Sequence, residues 1–275
     1  MVIGKKSIFV PEKDKPTVMI TLDTLISIVR EASALMDTRH FDISQKDGYS
    51  NIVTSSDVAV QDFLCEHLAR LLPDSGFLCE EEDMQDTSHE YTWIIDPIDG
   101  TANYSRGIDQ CAICVGLKHR DAMLMGVVYL PRTGEMFSAE RGKGAYLNGE
   151  RIHVSDRPFE DGVICTALTV YHKELADVCS EIVLEVFKQC NDFRRFGACA
   201  PELCYMAMGR CEMYFEYLLC PWDFAAASLI VTEAGGVISD IKGNPLSCVE
   251  HKGVIAANTP QNLQRLLGIV RAKTE

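Results

Sequence analysis

The amino-acid sequence predicts an α/β protein of the layered α+β kind, with two sheets and helices interleaved between them. Three observations carry this. Two amphipathic helical patterns occupy 21–36 and 56–72, β-type runs dominate 111–140, and beyond about residue 160 strand and helix patterns alternate.

The first helix places Leu25, Ile28, Val29, Ala32 and Met36 on one face, with Thr21 as its N-cap. A polar stretch over 40–54 follows, and the second helix repeats the pattern at Val60, Phe63, Leu64, Leu68 and Leu71 before Pro73 stops it. The runs CAICVGL, AMLMGVVYL and GEMFSAE are joined by short polar turns, and Asn148-Gly149 marks a tight hairpin, so this block reads as an antiparallel sheet. The later half reads as a strand over 163–168, a helix over 173–189, a strand near Phe193, a helix over 201–208 and a strand over 211–217. A helix that Asp223 opens and Gly235-Gly236 closes comes next, then strands over 237–239 and 254–257, and a last helix capped by Thr259 with Pro260 first. No internal repeat or low-complexity linker interrupts the chain. One domain over 1–275 is expected, with halves of about 20–160 and 161–270 and a polar leader over 1–17.

At 275 residues the chain is long enough to bury about 70–75% of its unfolded surface. Its formal charge of −14, from 26 basic and 40 acidic side chains, argues against a broad electrostatic surface for nucleic acid. The twelve cysteines lie mostly in apolar segments and lack the spacing of a secreted disulfide framework, which fits a reducing cytosol. The Cys111–Cys114 pair falls in a β-type run, where residues three apart face opposite ways, so zinc binding there is not expected. No secretory signal and no membrane-length apolar run is present, and a cytoplasmic protein is expected.

Chemistry concentrates in the stretch WIIDPIDGTANY, from Trp93 to Tyr104. A buried strand ending in Asp96 and Asp99 brings two carboxylates together, and such a pair repels itself unless a cation lies between. Pro97 and Gly100 make the turn tight, although Asp-Pro and Asp-Gly are also ordinary loop punctuation. Two distant segments add acidic ends: FLCEEED over 77–83, with Glu80, Glu81 and Glu82, and PWDFAAASLIVTEAGG over 221–236, with Asp223. All are hard oxygen donors of the kind Mg²⁺ takes, and no histidine stands among them.

Taken together, these three motifs resemble the inositol monophosphatase family of magnesium-dependent, lithium-sensitive phosphatases. The resemblance extends to NIVTSSD over 51–57, GVVYLP over 126–131, GKGAYLNG over 142–149 and the segment 254–258. It implies an αβαβα sandwich and two to three Mg²⁺ ions, with Li⁺ as an inhibitor. By the same resemblance Asp96 bridges two ions, Glu80 and the Ile98 carbonyl hold one, Asp99 with Asp223 holds the other, and a third leans on Glu80. The implied catalytic groups are Glu80, Asp99 and Thr101, with Thr101 and Glu80 taking the proton of the attacking water; Thr101 also fits a plain helix cap. The implied substrate contacts are Ile98, Asp99, Gly100, Thr101, Gly197, Ala198, Cys199, Glu216 and Asp223, with Gly100 and Thr101 N–H groups around the phosphate and Glu216 facing polyol hydroxyls.

Lys46 and Asp57 match a loop lysine and a helix-start aspartate near the family's metals; a solvated lysine and a dipole-favouring aspartate are the plainer readings. Cys79 replaces the usual Gly before the Glu pair, and Ser105-Arg106-Gly107 departs from the usual loop. Arg106 therefore keeps histidinol phosphate, fructose bisphosphate and adenosine bisphosphate open as substrates of relatives. The expected activity is hydrolysis of inositol monophosphate or a related polyol phosphate by a homodimer whose partner is a small phosphate monoester, with no nucleic acid and no membrane. The rival is a non-catalytic regulatory protein on the same scaffold.

Overall fold

The computed structural model describes residues 20–36, 41–46, 51–81 and 84–274; the expected leader and Glu82 lie outside them. Thr21 accepts from the Thr24 N–H at 3.1 Å and so caps α1 (Leu22–Ala32), as its residue type predicts. A hairpin of β1 (Ile43–Gln45) and β2 (Ile52–Thr54) leads into α2 (Ser55–Leu71), which Thr54 and Asp57 open with a capping box. Then come β3 (Gly76–Cys79), β4 (Tyr91–Asp99) and the single turn α3 (Thr101–Tyr104). The meander continues through β5 (Ala112–His119), β6 (Ala122–Leu130), β7 (Glu135–Glu140), β8 (Gly144–Leu147) and β9 (Glu150–Ile152).

Strands β3 to β9 make one seven-stranded sheet in chain order, antiparallel except where β3 runs beside β4. The turn between β8 and β9 has φ of +51° at Asn148 and +84° at Gly149, the left-handed pair that a two-residue hairpin requires. The later chain adds β10 (Val163–Thr166), α4 (Ala176–Phe187), β11 (Asp192–Arg194), α5 (Cys199–Ala207), β12 (Met213–Leu219), α6 (Pro221–Glu233), β13 (Val237–Asp240), β14 (Lys252–Ala257) and α7 (Pro260–Thr274). Its strands form a second, five-stranded sheet in the order β11-β10-β12-β14-β13.

Side-chain alternation along the strands distributes the core over three apolar layers. Trp93 and Ile95 of β4 face Leu25 and Val29 of α1 and Val60, Leu64 and Leu68 of α2. Ile94, between them in sequence, faces the opposite layer, where α5 and α6 meet both sheets through residues such as Leu203, Phe224, Ile230 and Tyr214. Beyond the second sheet, Ile164, Phe215 and Ile255 pack on Ile182 and Val186 of α4 and on Leu266 and Val270 of α7. The order is therefore helices, sheet, helices, sheet, helices. Gly126 permits the close approach of α6, since a Cβ there would stand 2.5 Å from the Ala226 carbonyl oxygen. Cys114 lies in β5 and Cys111 just before it, and the two fall in different apolar clusters.

Three local expectations need correction. The tight turn expected at Pro97 is a bulge inside β4, where the register against β5 shifts between Asp96 and Asp99; proline has no N–H to give the ladder. The helix expected from 173 begins at Ala176, after a 3₁₀ turn over Lys173–Leu175. The helix expected from 201 begins at Cys199, because a carboxylate distant in sequence caps it. Among the described residues no helix is long and apolar enough to cross a membrane.

Candidate active site and metal centre

The ends of β3 and β4, α3, the start of α5 and the start of α6 open onto one cleft of about 910 Å³. Glu80, Asp96, Ile98, Asp99, Gly100, Thr101, Gly197, Ala198, Cys199, Glu216 and Asp223 all line it, so every site residue expected from sequence is brought to one place. Lys46 and Arg106 line it too. Asp57 lies behind it, fully buried.

Each aspartate is held by backbone N–H groups. Asp96 Oδ1 accepts from Ile98 at 3.0 Å, and Asp223 Oδ2 from Cys220 at 2.8 Å, which makes Asp223 the third-position member of a capping box on α6. Asp99 receives the N–H of Cys199 at 3.2 Å and of Ala200 at 2.6 Å, a hundred positions away. It thereby supplies the negative charge at the N-terminus of α5 and fixes the 197–199 segment against β4.

Burial raises the pKa of Asp96 well above the ordinary carboxylate range, and Glu80, Asp99 and Asp223 push it further. Asp223 is raised in the same way, by burial and then by Asp99 and Glu80. Asp99 is pushed up to about 7, chiefly by burial, with the Ala200 and Cys199 N–H groups opposing. Glu80 is among the charges that raise Asp96, so these two carboxyl groups are neighbours of the kind a shared cation would join.

Among the described residues no three His, Cys, Asp or Glu side chains converge into a ready-made ion-holding group. The donors stand along the cleft walls. Their chemistry nonetheless fits hard divalent cations: all are oxygens, each of the three aspartates is oriented by a backbone N–H, and they already perturb one another. Lys46 is the cation that faces them, 3.1 Å from Glu80 and closer still to Glu81. Burial lowers its pKa but the two glutamates outweigh this, so the net shift is upward and the ammonium is retained.

Thr101 Oγ1 donates toward Asp57 Oδ1 and the Ile98 carbonyl, each at 3.1 Å. Asp57 also accepts the Thr54 N–H at 2.8 Å, so the helix-opening role and the contact with Thr101 coexist. Burial raises the Asp57 pKa against these hydrogen bonds.

Sequence reasoning missed three supporting residues. Gln61, on the buried face of α2, holds both the N–H and the carbonyl of Glu81 and so fixes the chain beside Glu80. Glu202 accepts the N–H groups of Phe196 at 2.6 Å and Gly197 at 3.0 Å, and burial pushes its pKa up to about 8. Tyr214 donates to Glu216 at 2.8 Å, while burial takes Glu216 up to about 7. A polar residue inside an apolar helical face is the readable signal for Gln61; Glu202, in the first turn of α5, has a local setting no different from that of any dipole-favouring acid.

The sequence profile of the inositol monophosphatase family matches residues 18–275. The Nus factor SuhB of Escherichia coli (strain K12) is 35% identical over 230 residues, 83% of this chain and 85% of that protein. The crystal structure of the extragenic suppressor protein suhB from Bartonella henselae superposes with a TM-score of 0.83 at 30% identity, over 90% of this chain and 97% of that one. The Thermotoga maritima IMPase gives 0.82 at 29% identity, over 92% and 97%. With a profile match from residue 18 to the end and the acidic cleft where two sheets meet, the chain belongs to the inositol monophosphatase family.

Proposed function

We propose that the protein is a Mg²⁺-dependent phosphomonoesterase that releases inorganic phosphate from inositol monophosphate or a related polyol or sugar phosphate. The observation that carries this reading is the convergence of Glu80, Asp96, Asp99 and Asp223 on one cleft, with the Thr101 hydroxyl there already aimed at Asp57. Glu80, Asp96, the Ile98 carbonyl, Asp99 and Asp223 would hold the cations. When bound, Mg²⁺ supplies charge neutralisation to the phosphate and acidity to the attacking water. Thr101 Oγ takes the water's proton as it gives its own to Asp57, so the threonine stays a hydroxyl and Asp57 ends protonated; Asp57 returns that proton to solvent as product leaves. The Gly100 and Thr101 N–H groups, at the start of α3, face the phosphate. Glu216, oriented by Tyr214, accepts from polyol hydroxyls, and Glu202 keeps the 196–197 backbone in place for the same ligand. The reading carries with it lithium as inhibitor, a homodimer and a cytoplasmic setting.

The name Nus factor, carried by the E. coli relative, favours a second reading: a regulatory role on this scaffold. Phosphate release from a panel of monoesters, with and without Mg²⁺, decides between them. Turnover that needs Mg²⁺ supports the enzyme, and its absence across the panel leaves the regulatory role.

A further inference from the structure

We propose that Cys65 and Cys79 are a thiol pair that oxidation closes into a reversible disulfide, and that this closure withdraws Glu80 from the cleft. The bond itself is independent of the phosphomonoesterase reading, whereas its effect on cation binding rests on that reading.

Cys65 lies on α2 and Cys79 ends β3, and their sulfur atoms stand 3.8 Å apart. Cys79 is fully buried, while Cys65 is half-buried and open in part to solvent. Cys165 and Cys211 are closer, at 3.2 Å, but both are buried and lie out of an oxidant's reach. The pair with one accessible member is therefore the reactive one, since oxidants act first on exposed thiolates. Cys79 is also the residue that replaces the usual glycine before the Glu pair, so this thiol is a departure from the family pattern. With hydrogen peroxide the chemistry balances. The Cys65 thiolate attacks one peroxide oxygen, the O–O bond breaks, and the hydroxide released takes up the proton that the thiol had lost, leaving a sulfenic acid and water. The Cys79 sulfur then attacks the Cys65 sulfur, the S–O bond breaks, and the oxygen leaves with the Cys79 proton as a second water. Two thiols lose two electrons and two protons in all, and a dithiol reductant restores them.

The residue after Cys79 is Glu80, whose N–H donates to the Ile95 carbonyl at 3.2 Å. Glu81 in turn is held by Gln61, which accepts its N–H at 2.9 Å and donates to its carbonyl. Gln61 and Cys65 are one helical turn apart on one face of α2, so the helix touches this segment on both sides of Glu80. A disulfide requires its sulfurs about 2.0 Å apart, so the gap of 3.8 Å must close by nearly half. Helix α2 has 17 residues and is anchored in the core by Val60, Leu64 and Leu68, whereas β3 is a four-residue strand at the edge of its sheet. The strand end is the softer partner and moves toward the helix. Cys79 faces the layer of α2 and Glu80, the next along, lines the cleft, so that movement draws the carboxylate away from Asp96.

The test uses the full chain in chelator, with hydrogen peroxide as oxidant and dithiothreitol as reductant. Peptide mapping after thiol blocking should show Cys65 joined to Cys79 while Cys165 and Cys211 remain unjoined, and dithiothreitol should reverse the link. In the joined form the Glu80 and Glu81 amides should exchange about tenfold faster, the value of one hydrogen bond. Calorimetry after removal of peroxide and chelator should show a Mg²⁺ dissociation constant raised about tenfold, the scale on which displaced supports alter metal affinity. Cys65→Ser should form no such link and keep its Mg²⁺ affinity after the same treatment. Absence of the link in the unaltered protein overturns the proposal. So does a link that leaves either the amide exchange or the Mg²⁺ affinity unchanged, and so does an equal loss of affinity in Cys65→Ser, which would assign the effect to another thiol. If the reduced protein binds no Mg²⁺, the cation reading fails on its own, and amide exchange alone decides whether the link moves Glu80.

Discussion

Thr101 and Asp57, forty-four positions apart, are joined by a 3.1 Å hydrogen bond that runs from the hydroxyl to a carboxylate behind the cleft. The hydroxyl is thus backed by an acceptor, which a plain helix cap does not require. Thr101→Ala and Asp57→Asn should each lower kcat by about 10² to 10⁴-fold while KM changes little, since neither group is needed to hold the ground state. Steady-state kinetics beside a melting curve checks this. An unchanged kcat in both variants would return Thr101 to a capping role.

Asp96→Asn removes the charge of the most centrally coupled carboxylate, whose neighbours include Glu80, Asp99 and Asp223. Phosphate release should become insensitive to added Mg²⁺ and fall to the level seen in chelator. The melting temperature in chelator should hold or rise, because a repelling charge has gone. Near-normal turnover in this variant would sink the metal-hydrolase reading.

Acidity should stabilise the metal-free protein. Asp99 is pushed from 3.8 up to about 7 in the folded state, first by burial. The native chain then binds more protons than the unfolded one, so this contribution is fully present below about 3.8 and is lost as pH rises through about 7. Glu81 and Glu216, each at about 7 from an ordinary 4.5, act in the same direction. Melting temperatures in chelator should fall between about pH 5 and about pH 8, and the gain on adding Mg²⁺ should be larger at the upper end. A flat or rising profile in chelator would contradict the burial of these groups.

Glu202→Ala leaves the Phe196 and Gly197 N–H groups without their acceptor inside a well-packed segment. A loss of about 1–3 kcal/mol in unfolding free energy is expected. KM for polyol phosphates should rise with it, because the same backbone borders the cleft. Denaturant titration and kinetics on one preparation measure both, and a stable variant with normal KM would show that the segment holds itself.

Glu216→Gln should cut kcat/KM for inositol monophosphate by roughly five- to thirtyfold, the value of one charge-assisted hydrogen bond. An aryl phosphate has no hydroxyls to offer and should lose far less. Equal losses on both would mean that Glu216 serves the site's field and not its selectivity.

Much of this was legible in the chain. Helix and strand periods located nearly every element, and the strand ends at Glu80 and Asp99 with the helix start at Asp223 marked the cleft. What escaped was non-local. Cys199 begins α5 because Asp99 caps it, and no pattern near residue 199 announces a partner a hundred positions upstream. Pro97 looked like a turn because a proline between two aspartates usually is one; only the register against β5 shows it as a bulge. Gln61 and Glu202 stand where a helix propensity reading expects solvent or a dipole, and their value lies in backbone groups they hold elsewhere.

Helix α6, which carries Asp223, is wedged between the two sheets and packs so closely on β6 that Gly126 has no room for a methyl group. Glu80 follows β3, and Asp96 and Asp99 flank the bulge in β4, so the cleft comes into being only when that wedge is seated. An ion that binds only the seated arrangement should therefore slow the opening that exposes the central layer to water, and amide exchange in α6 should become slower when Mg²⁺ is added.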